Sequence, residues 1–367
     1  MTNNSEKKEY GGGPFSVCFN MMKIKYEIYD KSIDNTDFVQ PDDKVNIFIN
    51  FESVLSNIST VKDIDKKLVL ERNFCDILIS EILNLAAHYK RFFRNNNLET
   101  RVFIYYTKLG CKEFINEKYT DDYRSYYQNM FLYNPRFCIL GESLEESIIS
   151  DVSTICQFIP NVYFITADGF DGSLIPYIVW NTDKSYKNFI ISQDIYDTQY
   201  QLYNNFMCHY IRRSPNGTII SNNITTTLQT MFKELKIDDN FEIFRNKSFF
   251  NMLLMCNGSK YRSIEPIKGY GFKTMSKLLN TAVNDDSITK DIDNIELITK
   301  VFPEDKRKAL INSFHSFDII SQYKDLSQHD IYSIEKQIVD RFDHNALIAL
   351  NNTRFYQYRF DEVALTM

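Results

Sequence analysis

The sequence predicts an α/β protein: a central, mostly parallel sheet flanked by helices, followed by a helical C-terminal region. Three observations predict it. Four short apolar, β-rich runs begin at Lys44, Val102, Val162 and Asn188. Stretches whose apolar residues recur at helical spacing separate them, and a strand–helix–strand order returns successive strands in the same direction with helices over both faces. From Asp285 onward the pattern is helical only. With 367 residues, 44% hydrophobic and 15% aromatic, the chain is long and apolar enough to bury a substantial core in one large domain or two smaller ones.

Residues 1–43 form a leading segment, polar to about Tyr10 and then Gly11–Gly13, which reads as a flexible tail. Met22 to Tyr29 is a candidate early strand. Lys44–Phe51 (KVNIFINF) is the first strong strand, introduced by Pro41. A long helix is expected over 66–93, with Leu70, Phe74, Ile77, Leu78, Ile82 and Leu85 on one face, broken by Asn95–Asn97. Val102–Tyr106 is the second strand. The tyrosine-rich stretch Phe114–Tyr133 and Leu144–Phe158 read as helices, Val162–Thr166 as the third strand, Leu174–Trp180 as a helix and Asn188–Ser192 as the fourth strand. Phe206–Ile220 has the form of a hairpin turning at Pro215–Gly217. Ile224–Leu235, Ile295–Phe302, Lys306–Phe314 and Ile331–Phe342 are expected helices. The resulting divisions are 44–245 for the α/β domain, 246–284 for a compact helical element and 285–367 for a C-terminal helical region.

Composition narrows the function classes. Net charge is −6 and the pI about 5.5, so any nucleic-acid contact must come from a local basic patch rather than a global one. The seven cysteines are scattered without a CxxC pair, which points to reduced core residues rather than zinc or a disulfide framework. The five histidines show no metal spacing, and neither GxSxG nor a Walker-type GxxxxGK[ST] occurs. Nothing resembles a signal peptide or membrane span, so the expectation is an intracellular protein, in cytoplasm, nucleus or virion. Richness in Asn, Ile, Lys and Tyr suggests an AT-rich, viral genome.

The most informative stretch is Asn246–Leu279. An apolar helix over Phe249–Met255 is followed by a polar turn, Asn257–Arg262, then Pro266, Gly269 and Gly271, then a second helix from Phe272 or Lys273 carrying Met275, Leu278 and Leu279. Glycines at Gly269 and Gly271 permit positive φ and close backbone approach. Amides at the next helix start, with Lys268, Lys273, Thr274 and Lys277 nearby, make a cradle suited to a phosphate diester. Lys247, Lys260 and Arg262 add charge against a single acid, Glu265.

The order of this stretch resembles the helix–three-turn–helix of the flap endonucleases, the five-prime nucleases with a PIN-like fold, whose pattern is LxGDxSDNIPGVxGIGxKTAxxLL. Gly258, Ile264, Gly269, Gly271, Lys273, Thr274, Leu278 and Leu279 match it. The resemblance covers roughly Lys44 to Leu279. It implies DNA, duplex or branched and held by its backbone, as a partner. It also implies a two-metal site using Mg²⁺ or Mn²⁺ held by carboxylates at the carboxyl ends of the strands.

Carried over residue by residue, that acidic set is broken. The first acid falls on Asn50, and the one closing strand two on Tyr106, or Thr107 if shifted by one. The Glu-Ala-Asp-Asp run falls on Phe170, Asp171, Gly172 and Ser173, or in another register on Asp168, Gly169, Phe170 and Asp171. The Asp-x-Asp after strand four falls on Asp194 and Tyr196, with Asp197 one place late. The two turn aspartates fall on Ser259 and Arg262. Asp168, Asp171, Asp194 and Asp197 are the residual candidate catalytic acids, with Asp194 and Asp171 the candidate metal ligands; the competing expectation is that these aspartates cap helices and turns. A basic arch is matched in kind by Tyr123 and Arg124, with Tyr119, Tyr126 and Tyr127 as potential stacking residues.

The expectation from the sequence is a catalytically degenerate flap-endonuclease-like protein that binds DNA or scaffolds a nucleoprotein complex, with other subunits of a larger assembly as partners and no resident cofactor. Its rivals are an active divergent nuclease recruiting Glu52, Glu142 or Glu145 and using Mg²⁺ or Mn²⁺, and a structural virion protein.

Overall fold

The structure is a computed structural model, and it describes residues 26–28, 43–51, 53–54, 85–86, 89, 98–107, 141–157, 159–192, 194–203, 205–213, 219–223, 247–257, 266–283 and 294–339. Seven strands, β1 (Tyr26–Ile28), β2 (Lys44–Asn50), β3 (Glu99–Thr107), β4 (Val162–Ala167), β5 (Tyr186–Ser192), β6 (Phe206–Arg213) and β7 (Ile219–Asn223), form one sheet in the order β1-β7-β6-β5-β2-β3-β4. Every neighbouring pair is parallel except β6–β7. The four strong strands are thus the contiguous parallel block β5-β2-β3-β4, as their alternation with helices predicts. The antiparallel β6–β7 pair is the expected hairpin, its turn lying outside the described residues.

Burial on both faces explains why these strands read as continuous apolar runs: after Lys44, every residue of β2 is buried. Period-two alternation then sorts them. Phe48, Phe103 and Tyr163 stack in register across β2, β3 and β4, with ring centroids 5.0 and 5.1 Å apart. The opposite face carries Phe51 edge-on against Tyr106 and Phe164.

The helices are α1 (Gly141–Cys156), α2 (Ile175–Thr182), α3 (Lys247–Asn257), α4 (Phe272–Val283), α5 (Asn294–Val301), α6 (Glu304–Phe317), α7 (Ile319–Lys324) and α8 (Gln328–Glu335). Two 3-10 segments, Gly172–Leu174 and Ile195–Leu202, connect strands to helices or to the next strand. One hydrophobic cluster runs from Phe48 and Phe103 of the sheet through Met252–Cys256 of α3 to Phe317 and Ile334. The apolar run before the glycines is therefore the hub on which the sheet and the C-terminal helices share a core.

Several expectations shift. The helix read from Leu174 starts as a 3-10 turn, with α2 proper beginning beside Pro176, whose fixed φ suits a first turn. The helix read from Ile331 to Phe342 begins earlier, at Gln328 behind a Ser327–Asp330 capping box, and ends at Glu335. Of the long helix over 66–93 only Leu85, Ala86 and Tyr89 are described, and all three are buried. The leading tail, the tyrosine-rich stretch with Tyr123 and Arg124, the helix over 224–235 and the turn containing Gly258, Ser259 and Arg262 lie outside the described residues. No helix among the described residues is long and apolar enough to cross a membrane.

Candidate functional site

Parallel strands deliver their carboxyl ends to one rim, and there the chain gathers Asn50 (β2), Tyr105 and Thr107 (β3), Ser192 (β5) and the aspartates that follow β4 and β5. All are buried. Asn50 and Tyr105 are register partners on one face of the sheet. Both reach the same atom: Asn50 Nδ2 and Tyr105 Oη each donate to Asp197 Oδ2 at 3.0 Å. Asn50 Oδ1 meanwhile accepts the Ser53 amide at 3.0 Å. Ser53 Oγ lies 3.2 Å from Ser192 Oγ, which accepts the Asp194 amide at 3.0 Å.

The other aspartates close turns. Asp194 Oδ1 accepts the Tyr196 amide at 3.0 Å, capping the 3-10 segment. Asp171 Oδ1 accepts the Ser173 amide at 2.8 Å in the same way. The expectation that these two aspartates cap turns is met. The Gly172 amide donates to Thr107 Oγ1 at 2.8 Å. A Cβ at Gly172 would sit 2.7 Å from that oxygen and 3.0 Å from the Tyr106 carbonyl carbon, so only glycine lets the loop after β4 touch the end of β3. Asp168 precedes Gly169, whose φ of +83° turns the chain out of the strand.

The 3-10 segment Ile195–Leu202 is held from every side. Cys208 Sγ donates to the Asp197 carbonyl at 3.1 Å, Tyr200 Oη to the Ser173 carbonyl at 2.6 Å and Gln199 Nε2 to the Phe317 carbonyl. Such runs are short when left to themselves; here tertiary bonds at Asp197, Gln199 and Tyr200 support an eight-residue run. Burial, then the adjacent Asp197 charge, pushes the Tyr105 phenol well above its ordinary value, so its proton stays in the bond to Asp197.

A two-metal centre needs several carboxylates sharing two hard cations, with oxygen atoms free to ligate. At this rim the buried aspartates each commit one carboxylate oxygen to the fold. Asp197 Oδ2 takes two side-chain donors, Asp171 and Asp194 each take a backbone amide, and the amide oxygen of Asn50 is spent on Ser53. Among the described residues no group of three or more His, Cys, Asp or Glu side chains is arranged to hold a metal ion.

Strand pairing also separates the two registers read for strand two. The sequence placed the strand-two position on Tyr106 or Thr107. Tyr106 points to the opposite face, 5.0 Å from the Phe51 ring, whereas Tyr105 and Thr107 face the rim. Tyr105 went unnoticed in the sequence, although two-residue alternation from Phe103 puts it on the face of Phe48 and Asn50.

The second candidate region is the turn between α3 and α4. The Ile267 amide donates to the Cys256 carbonyl, and the Tyr270 amide to the Ile267 carbonyl, both at 2.9 Å. Gly269 occupies the third turn position with φ +89°, a conformation that requires glycine. Gly271 differs from expectation: its φ is not positive and a Cβ there would meet open space. Its carbonyl accepts the Met275 amide at 3.0 Å, the first bond of α4. Met275 is buried, while Lys268, Lys273, Thr274 and Lys277 are exposed. Tyr270 packs on Phe302, ring centroids 5.6 Å apart, fixing the turn against the end of α5.

No protein-family model matches the chain, and no curated protein matches it. Among solved structures, the chain is similar to a bacteriophage T5 flap endonuclease pseudo-enzyme–product complex with DNA and metal ions, at 14% identity and a TM-score of 0.49 over 79% of this chain and 97% of that one. It is also similar to a bacteriophage T5 5'-exonuclease with bound divalent zinc, at 16% identity and 0.49 over 79% and 97%, and to a mutant T5 5'-exonuclease, at 14% identity and 0.44 over 80% and 97%.

Proposed function

We propose that the chain is a flap-endonuclease-like protein that grips the backbone of duplex or branched DNA without cleaving it, as a binding or scaffolding subunit of a nucleoprotein complex. The observation that supports this reading is the state of Asp171, Asp194 and Asp197 at the carboxyl rim: buried, and bonded to Asn50, Tyr105 and the turn amides. Carboxylates so engaged hold the fold together, which favours a structural over a hydrolytic use of them.

Binding is assigned to the helix–three-turn–helix. Its glycine turn leaves Lys268 exposed, and the first amides of α4, which have no partner within the helix, lie beside exposed Lys273, Thr274 and Lys277. Backbone amides at a helix start together with ammonium groups suit a phosphate diester and carry no sequence information. The protein's net negative charge confines contact to this patch, so affinity is expected to be modest, independent of sequence and steeply salt-dependent.

Two measurements on the full chain test the reading. Fluorescence anisotropy with a nicked duplex at several salt concentrations should give binding that weakens linearly in log K against log salt. Incubation of labelled flap DNA with Mg²⁺ or Mn²⁺ should leave it intact. Cleavage abolished by Asp194→Ala would overturn the non-catalytic reading; absence of binding at the lowest salt would overturn the DNA-binding one.

A further inference from the structure

Among the described residues β4 is the outermost strand at one end of the sheet. An edge strand presents a row of unpaired N–H and C=O groups that can template another chain. The run VYFITA carries no charge and no proline, so it has neither of the side-chain devices that blunt an edge. In a parallel strand the groups of alternate residues point outward; here they are those of Val162, Phe164 and Thr166. The Val162 amide donates to the Ile159 carbonyl at 3.3 Å, inside its own turn.

Thr166 is closed by one side chain. Its amide donates to Gln337 Oε1 at 2.9 Å, and Gln337 Nε2 donates to its carbonyl at 3.0 Å. The Thr166 hydroxyl adds a bond to Oε1 at 3.3 Å. Gln337 Nε2 also donates to the Ser333 carbonyl of α8 at 3.0 Å. A carboxamide is a planar group with one acceptor and one donor side, the same pair a peptide unit offers. The two bonds to Thr166 fix which end is oxygen, because a flip would break both.

We propose that Gln337 is an edge cap: its side chain takes the place of a neighbouring strand at Thr166 and keeps β4 from pairing with β4 of a second copy of this chain. A second copy is the partner that fits, because two identical edges related by a two-fold axis pair antiparallel about Phe164, with the Val162 amide alone kept by its own turn. The cap comes from the turn that follows α8, and α8 is itself tied to α2, where Thr182 Oγ1 donates to Glu335 Oε1 at 3.2 Å. The C-terminal helices thus seat the side chain that closes the sheet at Thr166.

The test is the association state of the full chain by multi-angle light scattering, for wild type, Gln337→Ala and the double variant Gln337→Ala/Thr166→Lys. Wild type should keep a constant mass over a concentration series. Gln337→Ala should shift toward dimer with rising concentration, and the added lysine on the edge should restore the wild-type mass. A folded Gln337→Ala that shows the same mass as wild type throughout overturns the proposal. Should that variant fail to fold, amide exchange on wild type decides: Thr166 exchanging at least about tenfold slower than an unstructured amide supports the cap, and Thr166 exchanging at the unprotected rate overturns it.

Discussion

The carboxyl rim and the glycine turn are opposite treatments of polar groups within one core. At the rim, Asn50, Tyr105, Thr107, Asp171, Asp194 and Asp197 are all buried and their bonds point inward, strand to loop. At the turn, Lys268, Lys273, Thr274 and Lys277 are exposed, while Ile267, Tyr270, Met275 and Leu278 anchor the segment to the core. Buried polar groups with partners specify a fold, and leaving one unpartnered is costly. Exposed cations cost the fold little and remain available to a partner. The first region thus serves the fold, the second carries the proposed recognition, and substitutions should separate the two.

The largest effect is expected at Asp197. Replacement by alanine leaves two buried donors, Asn50 Nδ2 and Tyr105 Oη, without their shared acceptor, at a cost of about 4 kcal/mol. Asp197→Asn keeps an acceptor of the same shape and should cost about 1–2 kcal/mol. Urea unfolding followed by circular dichroism measures both, and DNA affinity of the folded variants should match wild type. If Asp197→Ala were as stable as wild type, the rim would not be a structural lock.

The contrast also marks what the sequence could and could not tell. The four parallel strands, the β6–β7 hairpin and the two helices flanking the glycines were legible because each rests on local signals: apolar runs, two-residue alternation, glycine and proline. The bond from Tyr105 to Asp197 was not, since residues 92 apart meet only through strand register. Gly269 and Gly271 look equivalent in a one-dimensional pattern, yet one needs positive φ and the other does not, which depends on where the turn closes. Gln337 gave no signal, because a glutamine after a helix is unremarkable until an open strand edge lies beside it.

Acid separates buried from exposed parts next. His209 on β6 is buried, with Nδ1 3.2 Å from Tyr89 Oη, and burial lowers its pKa from 6.5 to about 4. The folded state therefore resists a proton that the unfolded chain accepts. Its contribution is full above about pH 6.5 and is lost as pH falls through 4, at most about 3 kcal/mol over that window. Unfolding free energies between pH 7 and 4 should fall less steeply in His209→Phe than in wild type; parallel curves would show that another group governs acid stability.

A smaller change, confined to recognition, is expected at Lys273. Lys273→Ala removes one exposed ammonium beside the first amides of α4, so the slope of log K against log salt on duplex DNA should shrink by about 0.9, with the same loss on every sequence. Its melting temperature should equal that of wild type. An unchanged slope would move the DNA contact away from this turn.

The finest distinction lies between the two glycines. Gly269→Ala forces a Cβ into φ +89° and should cost about 1–2 kcal/mol. Gly271 has an ordinary φ and open space around it, so Gly271→Ala should be neutral or stabilise by about 0.5 kcal/mol through the unfolded chain. Thermal melts read this difference directly. DNA binding then reads something the melts cannot. If the phosphate backbone lies against the start of α4, the open space at Gly271 is where it comes close, and a methyl group there weakens binding without lowering stability. A Gly271→Ala variant that both melts and binds like wild type would place the backbone elsewhere and leave Gly269 as the sole glycine the turn requires.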